Sequence, residues 1–202
     1  MNGTIHLVRH GEVENPKGVI YGRLPGYHLS DRGRHQAQAA AERLEDRDIG
    51  AVWASPMERA QETAQPIAEV HGVEVVTDER LNESLTKVEG VGSNWLSFLA
   101  SPKHWWSFRN PLKPTWGESF SDIRDRMLSA IGDALAAAAG RELVVVSHQT
   151  PVLVARLSLA KSRVPPLLAM SSCGTGSVST LVLEDGKVAS SSYFTPVDQE
   201  SA

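Results

Sequence analysis

The stretch "ELVVVSH", residues 142–148, decides the fold. Its apolar residues are consecutive rather than alternating, and three of them are β-branched valines. A strand with one wet face alternates; a run like this one belongs at the centre of a parallel sheet covered by helices on both faces. Outward from it, strand and helix signals take turns. "TIHLV" (4–8), "IGAVWAS" (49–55) and "VEVVTD" (73–78) read as strands. "SDRGRHQAQAAAERLEDR" (30–47) reads as a helix with Ser30 or Asp31 at its cap. "MERAQETAQPIAEVHG" (57–72) reads as a helix ending near Gly72, with Pro66 as its expected kink. "SFSDIRDRMLSAIGDALAAAAGR" (119–141) and "TPVLVARLSLA" (150–160) read as two more helices, the first closed by Gly140. "GSVSTLVLEDGKVASSSYF" (176–194) reads as a final hairpin turning at Asp185-Gly186. The order predicts an α/β protein, a three-layer α/β/α sandwich with a mostly parallel central sheet.

The chain of 202 residues fits one domain, 1–202, and 41% hydrophobic residues supply a core. A net charge of −4 with scattered Lys and Arg argues against nucleic acid or an anionic membrane as the main partner. Cys173 is the sole cysteine, so no intrachain disulfide forms and a reducing compartment is expected. No signal-peptide pattern and no membrane-length apolar run is visible, which makes the cytoplasm the expected location.

Ligands of open α/β sheets bind beyond the carboxyl ends of the strands. Three such ends carry basic groups: Arg9 and His10 after the first strand, Arg59 in the helix after the second, and His148 after the central one. If these strands are parallel neighbours, two arginines and two histidines converge on one crevice. Arginine offers permanent, planar donors to phosphoryl oxygens, and helix N-termini add backbone N–H groups. Inside such a site a neutral imidazole can attack phosphorus and form a phosphohistidine, and nearby guanidinium charge keeps it neutral. The leaving alkoxide needs a proton, and "RLNES" (80–84) places Glu83 within reach of the same edge.

These residues carry a resemblance. "LVRHGEVEN", "YGRLPGYHLSDRGRHQA", "ASPMERAQETA", "LNES", "WGES" and "VVVSHQTPV" resemble, in order, the elements of the histidine phosphatase superfamily, also called phosphoglycerate mutase-like. The resemblance implies His10 as nucleophile and Arg9, Arg59 and His148 as holders of the transferring phosphoryl group. It implies Glu83 as acid and then base, with Asn15, Tyr21, Gly22, Arg23 and Gln149 lining the pocket. No cofactor and no metal are implied. The expected partner is a small phosphorylated metabolite such as a sugar phosphate or a phosphoglycerate derivative, with a homodimer left open. The chain departs from the pattern in two places. Asn15 follows His10 by five residues, one fewer than in the mutases, and Gln149 stands where many members have Gly. The run Asn82-Glu83-Ser84-Leu85-Thr86-Lys87 also lacks the Arg, His and Tyr that follow the acidic element in phosphoglycerate mutases. A phosphatase is therefore expected, with a mutase and a catalytically inactive binding module as rivals.

Each residue alone has a plainer reading: Arg59 as a surface residue paired with Glu58 or Glu62, His148 as a structural histidine, Glu83 as a surface carboxylate. Other motifs fail. His6 and His10 would pair on a metal only in a helix, whereas a strand separates them by roughly 13 Å at ~3.3 Å per residue. "CGTG" (173–176) lacks the partners of a cysteine phosphatase or a P-loop and reads as a turn, and "DRDIG" (46–50) precedes its strand and reads as a loop. Residues 91–118 are irregular and hold Trp95, Trp105, Trp106 and Trp116. They are expected to form a satellite core, a lid over the site, or both.

Overall fold

The computed structural model describes residues 2–86, 89–90 and 117–196. Six strands form one sheet: β1 (Gly3–Arg9), β2 (Ile49–Ala54), β3 (Val75–Thr77), β4 (Glu142–Ser147), β5 (Val178–Glu184) and β6 (Lys187–Phe194). Their order is β3-β2-β4-β1-β5-β6. The first four strands in that order are parallel, and the β5–β6 hairpin runs antiparallel along one side. The run of valines is thus the centre of the sheet, as its unbroken burial requires.

Four helices complete the layers among the described residues: α1 (Asp31–Leu44), α2 (Glu58–His71), α3 (Phe120–Ala137) and α4 (Gln149–Leu159). Alternate residues of the central strands face opposite layers. Val8, Val52, Val144 and Val146 pack with the alanines of α1 and α2. Ile5, Leu7, Leu143 and Val145 pack with Ile123, Met127 and Ile131 of α3 and with Val152 of α4.

Local signals explain the boundaries. The Ser30 hydroxyl accepts the Gly33 N–H and starts α1. Gly72, in the left-handed region at φ 62°, ends α2. Asp185 and Gly186 both take positive φ, the mirror-image turn that matches strand twist in a two-residue hairpin. Pro66 lies inside α2 as expected. Two short 3-10 turns, Glu79–Leu81 and Pro166–Ser172, had no sequence signal, since neither is long enough to show a period.

The topology opens a crevice between β1 and β4. From β1 the chain crosses to β2 through α1 on one face; from β4 it crosses to β5 through α4 on the other. Adjacent strands whose connections leave on opposite faces make a topological switch point. The start of α1 presses on this edge. A Cβ on Gly33 would stand 2.0 Å from the Glu12 carbonyl oxygen, and one on Gly11 would stand 2.4 Å from the Gly33 carbonyl oxygen.

This contact fixes the sign of a substitution. In an open helix, Gly→Ala stabilises by about 1 kcal/mol. At Gly33 the backbone clash outweighs that gain, because overpacking against immovable atoms costs about 1–3 kcal/mol or more. Gly33→Ala is therefore expected to lower the thermal midpoint, and a raised midpoint in a denaturation scan would contradict the packing described.

Candidate active site

Strand register builds the site. Arg9 pairs with Ser147 across β1–β4, and Ala54 pairs with Val146 across β2–β4. The three strands stop at one level, so the residues that follow them, His10, Ser55 and His148, meet at one edge. The His10 and His148 rings lie 5.1 Å apart, centroid to centroid, at 60°.

His10 is 2% exposed. Its Nδ1 lies 2.7 Å from the Gly11 carbonyl oxygen, which can only accept, so Nδ1 carries the proton and Nε2 keeps its lone pair. Burial, then Arg59, then Arg9 hold this imidazole well below its ordinary range. One hydroxyl steadies the loop: Thr63 accepts from the Gly11 N–H and donates to the Arg59 carbonyl.

Arg59 is fully buried and pairs with neither Glu58 nor Glu62. Its Nη2 donates to the Gly22 carbonyl at 2.7 Å, and its guanidinium lies 4.8 Å over the Tyr21 ring. Arg9 is held from the far side, where Nη1 donates to the Cys173 carbonyl at 2.6 Å. The "CGTG" segment is thus a turn, as read, and one that supports Arg9. Around the crevice, Arg9 Nε, Arg59 Nε and Nη1, and His148 Nδ1 are buried without a hydrogen-bond partner among the described residues. The three arginine nitrogens are N–H donors of the kind that bind anions, whereas His148 Nδ1 is the lone-pair nitrogen of a ring whose Nε2 holds the proton.

A hydrogen-bond chain orients His148. Glu79 accepts from Asn82 Nδ2 at 2.6 Å; Asn82 Oδ1 accepts from the Ser55 hydroxyl at 2.9 Å; Ser55 then accepts from His148 Nε2 at 2.8 Å. Burial, then His10 and Arg59, hold His148 well below the ordinary imidazole range. Ser55, Thr63 and Asn82 were not singled out from the sequence, although all three lie inside the quoted motifs.

A cavity of about 430 Å³ opens from this edge, lined in part by Arg9, His10, Asn15, Tyr21, Gly22, Glu83 and Gln149. Glu83 is half-buried. Burial pushes its carboxyl up, against the Ser84 hydrogen bonds and the charges of Arg59 and Arg9. Ser84 donates twice to Oε1, which leaves Oε2 for a proton. Of the expected pocket residues, Asn15, Tyr21, Gly22 and Gln149 line the cavity and Arg23 does not; its Nε donates to the Glu83 carbonyl at 2.6 Å, behind the cavity wall. The Asn15 amide is bonded to both backbone groups of Val19, and Gln149 donates to the Met170 carbonyl. Among the described residues no three His, Cys, Asp or Glu side chains gather as a metal site. Of the proposed lid, only Gly117 and Glu118 fall among the described residues.

The model of the histidine phosphatase superfamily (branch 1) matches residues 5–195. The chain belongs to this superfamily. An uncharacterized protein of Mycobacterium tuberculosis is 46% identical over 194 residues, covering 95% of this chain and 96% of that one. A 2,3-bisphosphoglycerate-dependent phosphoglycerate mutase of Thermoplasma acidophilum is 34% identical over 154 residues, 74% of this chain and 72% of that protein. The structure of a mycobacterial glucosyl-3-phosphoglycerate phosphatase with VO3 superposes with a TM-score of 0.71 at 26% identity, covering 96% of this chain and 98% of that one. Superfamily membership makes the chain an enzyme of the phosphatase and phosphotransferase kind, and the relatives include both.

The burial of His10 beside two guanidinium groups is open to measurement. In a ring-nitrogen NMR titration, His10 should stay neutral well below pH ~6.5, where a free imidazole takes its second proton. Arg59→Met removes one of the charges that disfavour the imidazolium, so the His10 midpoint should rise. An unmoved midpoint would mean that the guanidinium does not act on the ring.

Proposed function

We propose that the protein is a metal-independent phosphomonoester hydrolase that works through a phosphohistidine on His10. The observation that carries this reading is the free Nε2 of His10 beside three buried, unmatched N–H donors of Arg9 and Arg59. In the proposed sequence, His10 Nε2 attacks phosphorus while Arg9 and Arg59 hold the equatorial oxygens, joined by His148, whose Nδ1 donates once the ring takes up a proton with the bound phosphoryl dianion. Charge on those oxygens is what the site must stabilise in phosphoryl transfer. The P–O bond to the alcohol breaks, and the leaving oxygen takes the proton of Glu83. Water then attacks the phosphohistidine, with the Glu83 carboxylate as base. The N–P bond breaks, inorganic phosphate leaves, and His10 and the Glu83 acid are restored. The raised carboxyl suits the acid step, and the lowered imidazole suits the attack. The substrate is a small phosphorylated metabolite. The sole cysteine, Cys173, is buried, in keeping with a reducing, cytoplasmic setting. Among the described residues no helix is long and apolar enough to cross a membrane.

Four outcomes test the reading. His10→Ala should abolish turnover and covalent labelling, and the wild-type label should be acid-labile and base-stable, as an N–P bond is; label trapped on serine or aspartate would refute it. Glu83→Gln should slow hydrolysis of an alkyl phosphate far more than phosphoenzyme formation from an activated aryl phosphate, because only the poor leaving group needs the proton. Incubation with 3-phosphoglycerate and a bisphosphate primer, followed by NMR, separates hydrolase from mutase. Interconversion of the 2- and 3-isomers without phosphate release would assign the chain to the mutases, and activity lost to EDTA and restored by a metal would end the metal-independent part.

A further inference from the structure

The cavity is larger than a phosphoryl group, and at about 430 Å³ it falls within the size range of small-molecule sites. Its inner end is cationic. Its outer wall is built from Val19, Ile20, Leu85, Phe120, Leu167 and Met170. These come from separate parts of the chain: the loop after His10, the segment after Glu83, the start of α3, and the 3-10 turn Pro166–Ser172. Leu85 and Leu167 are 53% and 47% exposed, unusually open for side chains of their size at the mouth of a cavity.

Three polar side chains of this wall are engaged, and the Thr86 and Thr150 hydroxyls also line it. Asn15 is bonded to Val19, Gln149 to Met170, and the Ser84 hydroxyl to Glu83. The charged side chains that line it beyond Arg9 and His10, among the described residues, are the carboxylates of Glu83 and Glu118. The nearby cations are turned away from the cavity. Arg126 grips Glu118 through two nitrogens at 2.7 and 3.0 Å, and Arg23 reaches the same carboxylate. An anionic group on the alcohol part of a substrate would meet carboxylates in a partly desolvated space. A polyol would find partners in the two carboxylates and two threonine hydroxyls, but its remaining hydroxyls would lie on the carbon of Val19, Ile20, Phe120, Leu167 and Met170, and each unmatched hydroxyl opposes binding.

Resting on the phosphomonoesterase reading, we infer that the site takes monoesters of uncharged alcohols with an apolar body, in preference to phosphorylated carboxylic acids and sugar phosphates. The phosphoryl group anchors at the arginines, and the alcohol part lies along the wall from Val19 and Ile20 to Leu167 and Met170.

The test compares kcat/KM for 2-phenylethyl phosphate with that for 3-phosphoglycerate, glycerol 3-phosphate and choline phosphate. All four release poor alkoxide leaving groups, so their ranking reports the wall rather than leaving-group chemistry. 2-Phenylethyl phosphate should lead by at least about tenfold, the scale of discrimination that even one buried methylene provides. Leu167→Asp, at a partly exposed position that puts little load on the core, should shrink that lead, and Leu167→Met should keep it. Equal values, a lead for any of the charged or hydroxylated esters, or a lead untouched by Leu167→Asp would overturn the inference and leave the hydrolase intact. Failure to turn over any ester, with no label on His10, would instead overturn the phosphomonoesterase reading on which it rests.

Discussion

Two arginines, Arg59 buried and Arg9 partly so, with no carboxylate bonded to either, set the terms for the rest of this structure. Arg59 is fully buried, and neither it nor Arg9 has an ion pair among the described residues. Taking a guanidinium from water without a counter-charge is costly, and the protein compensates with neutral groups: the carbonyls of Gly22 and Cys173 and the face of Tyr21. Carbonyls and a ring lower the cost without cancelling the charge. The crevice therefore keeps a positive field, which adds to burial in lowering both imidazoles and opposes burial at Glu83. Both imidazoles are held neutral, while Glu83 is driven by burial toward its protonated form.

Backbone geometry supplies the precision that this field alone lacks. The shared stopping level of β1, β2 and β4 brings His10, Ser55 and His148 together without any loop having to find its place. Around them, uncharged hydrogen bonds fix orientation. The Gly11 carbonyl sets the tautomer of His10, Thr63 ties the loop to α2, and Glu79, Asn82 and Ser55 align His148. Glu83 is steadied in the same manner, since Arg23 holds its backbone carbonyl while Glu83 lines the cavity.

Much of this was legible in the sequence, for physical reasons. Long elements with a clear period, such as α1, α2 and β4, carry their own signal, and the turn at Asp185-Gly186 admits few alternatives. Chemistry also marks residues that no core would place at a strand end, which is why Arg9, His10 and His148 stood out. Arg23 was placed in the lining because a motif gives proximity and not direction: it lies near the cavity, yet its Nε is bonded to the Glu83 carbonyl behind it. Ser55, Thr63 and Asn82 are common polar residues whose role exists only once partners distant in sequence arrive. The apolar outer wall was invisible for a related reason, being assembled from side chains of four separate segments.

The strand order also has a consequence for how the enzyme comes into being. β4 lies between β1 and β2, although it follows both in sequence, with α2, β3 and α3 in between. His10 and His148 are separated by roughly 140 residues, so their meeting is a late, long-range event in folding. A nascent chain that has exposed only its first half holds His10 and Arg59 but not the strand that aligns them. Until β4 inserts, β1 and β2 have open edges and no shared level at which to stop. The meeting of His10 with His148 is thereby withheld until β4 has been made, and the step that assembles the crevice is the same step that closes the centre of the sheet.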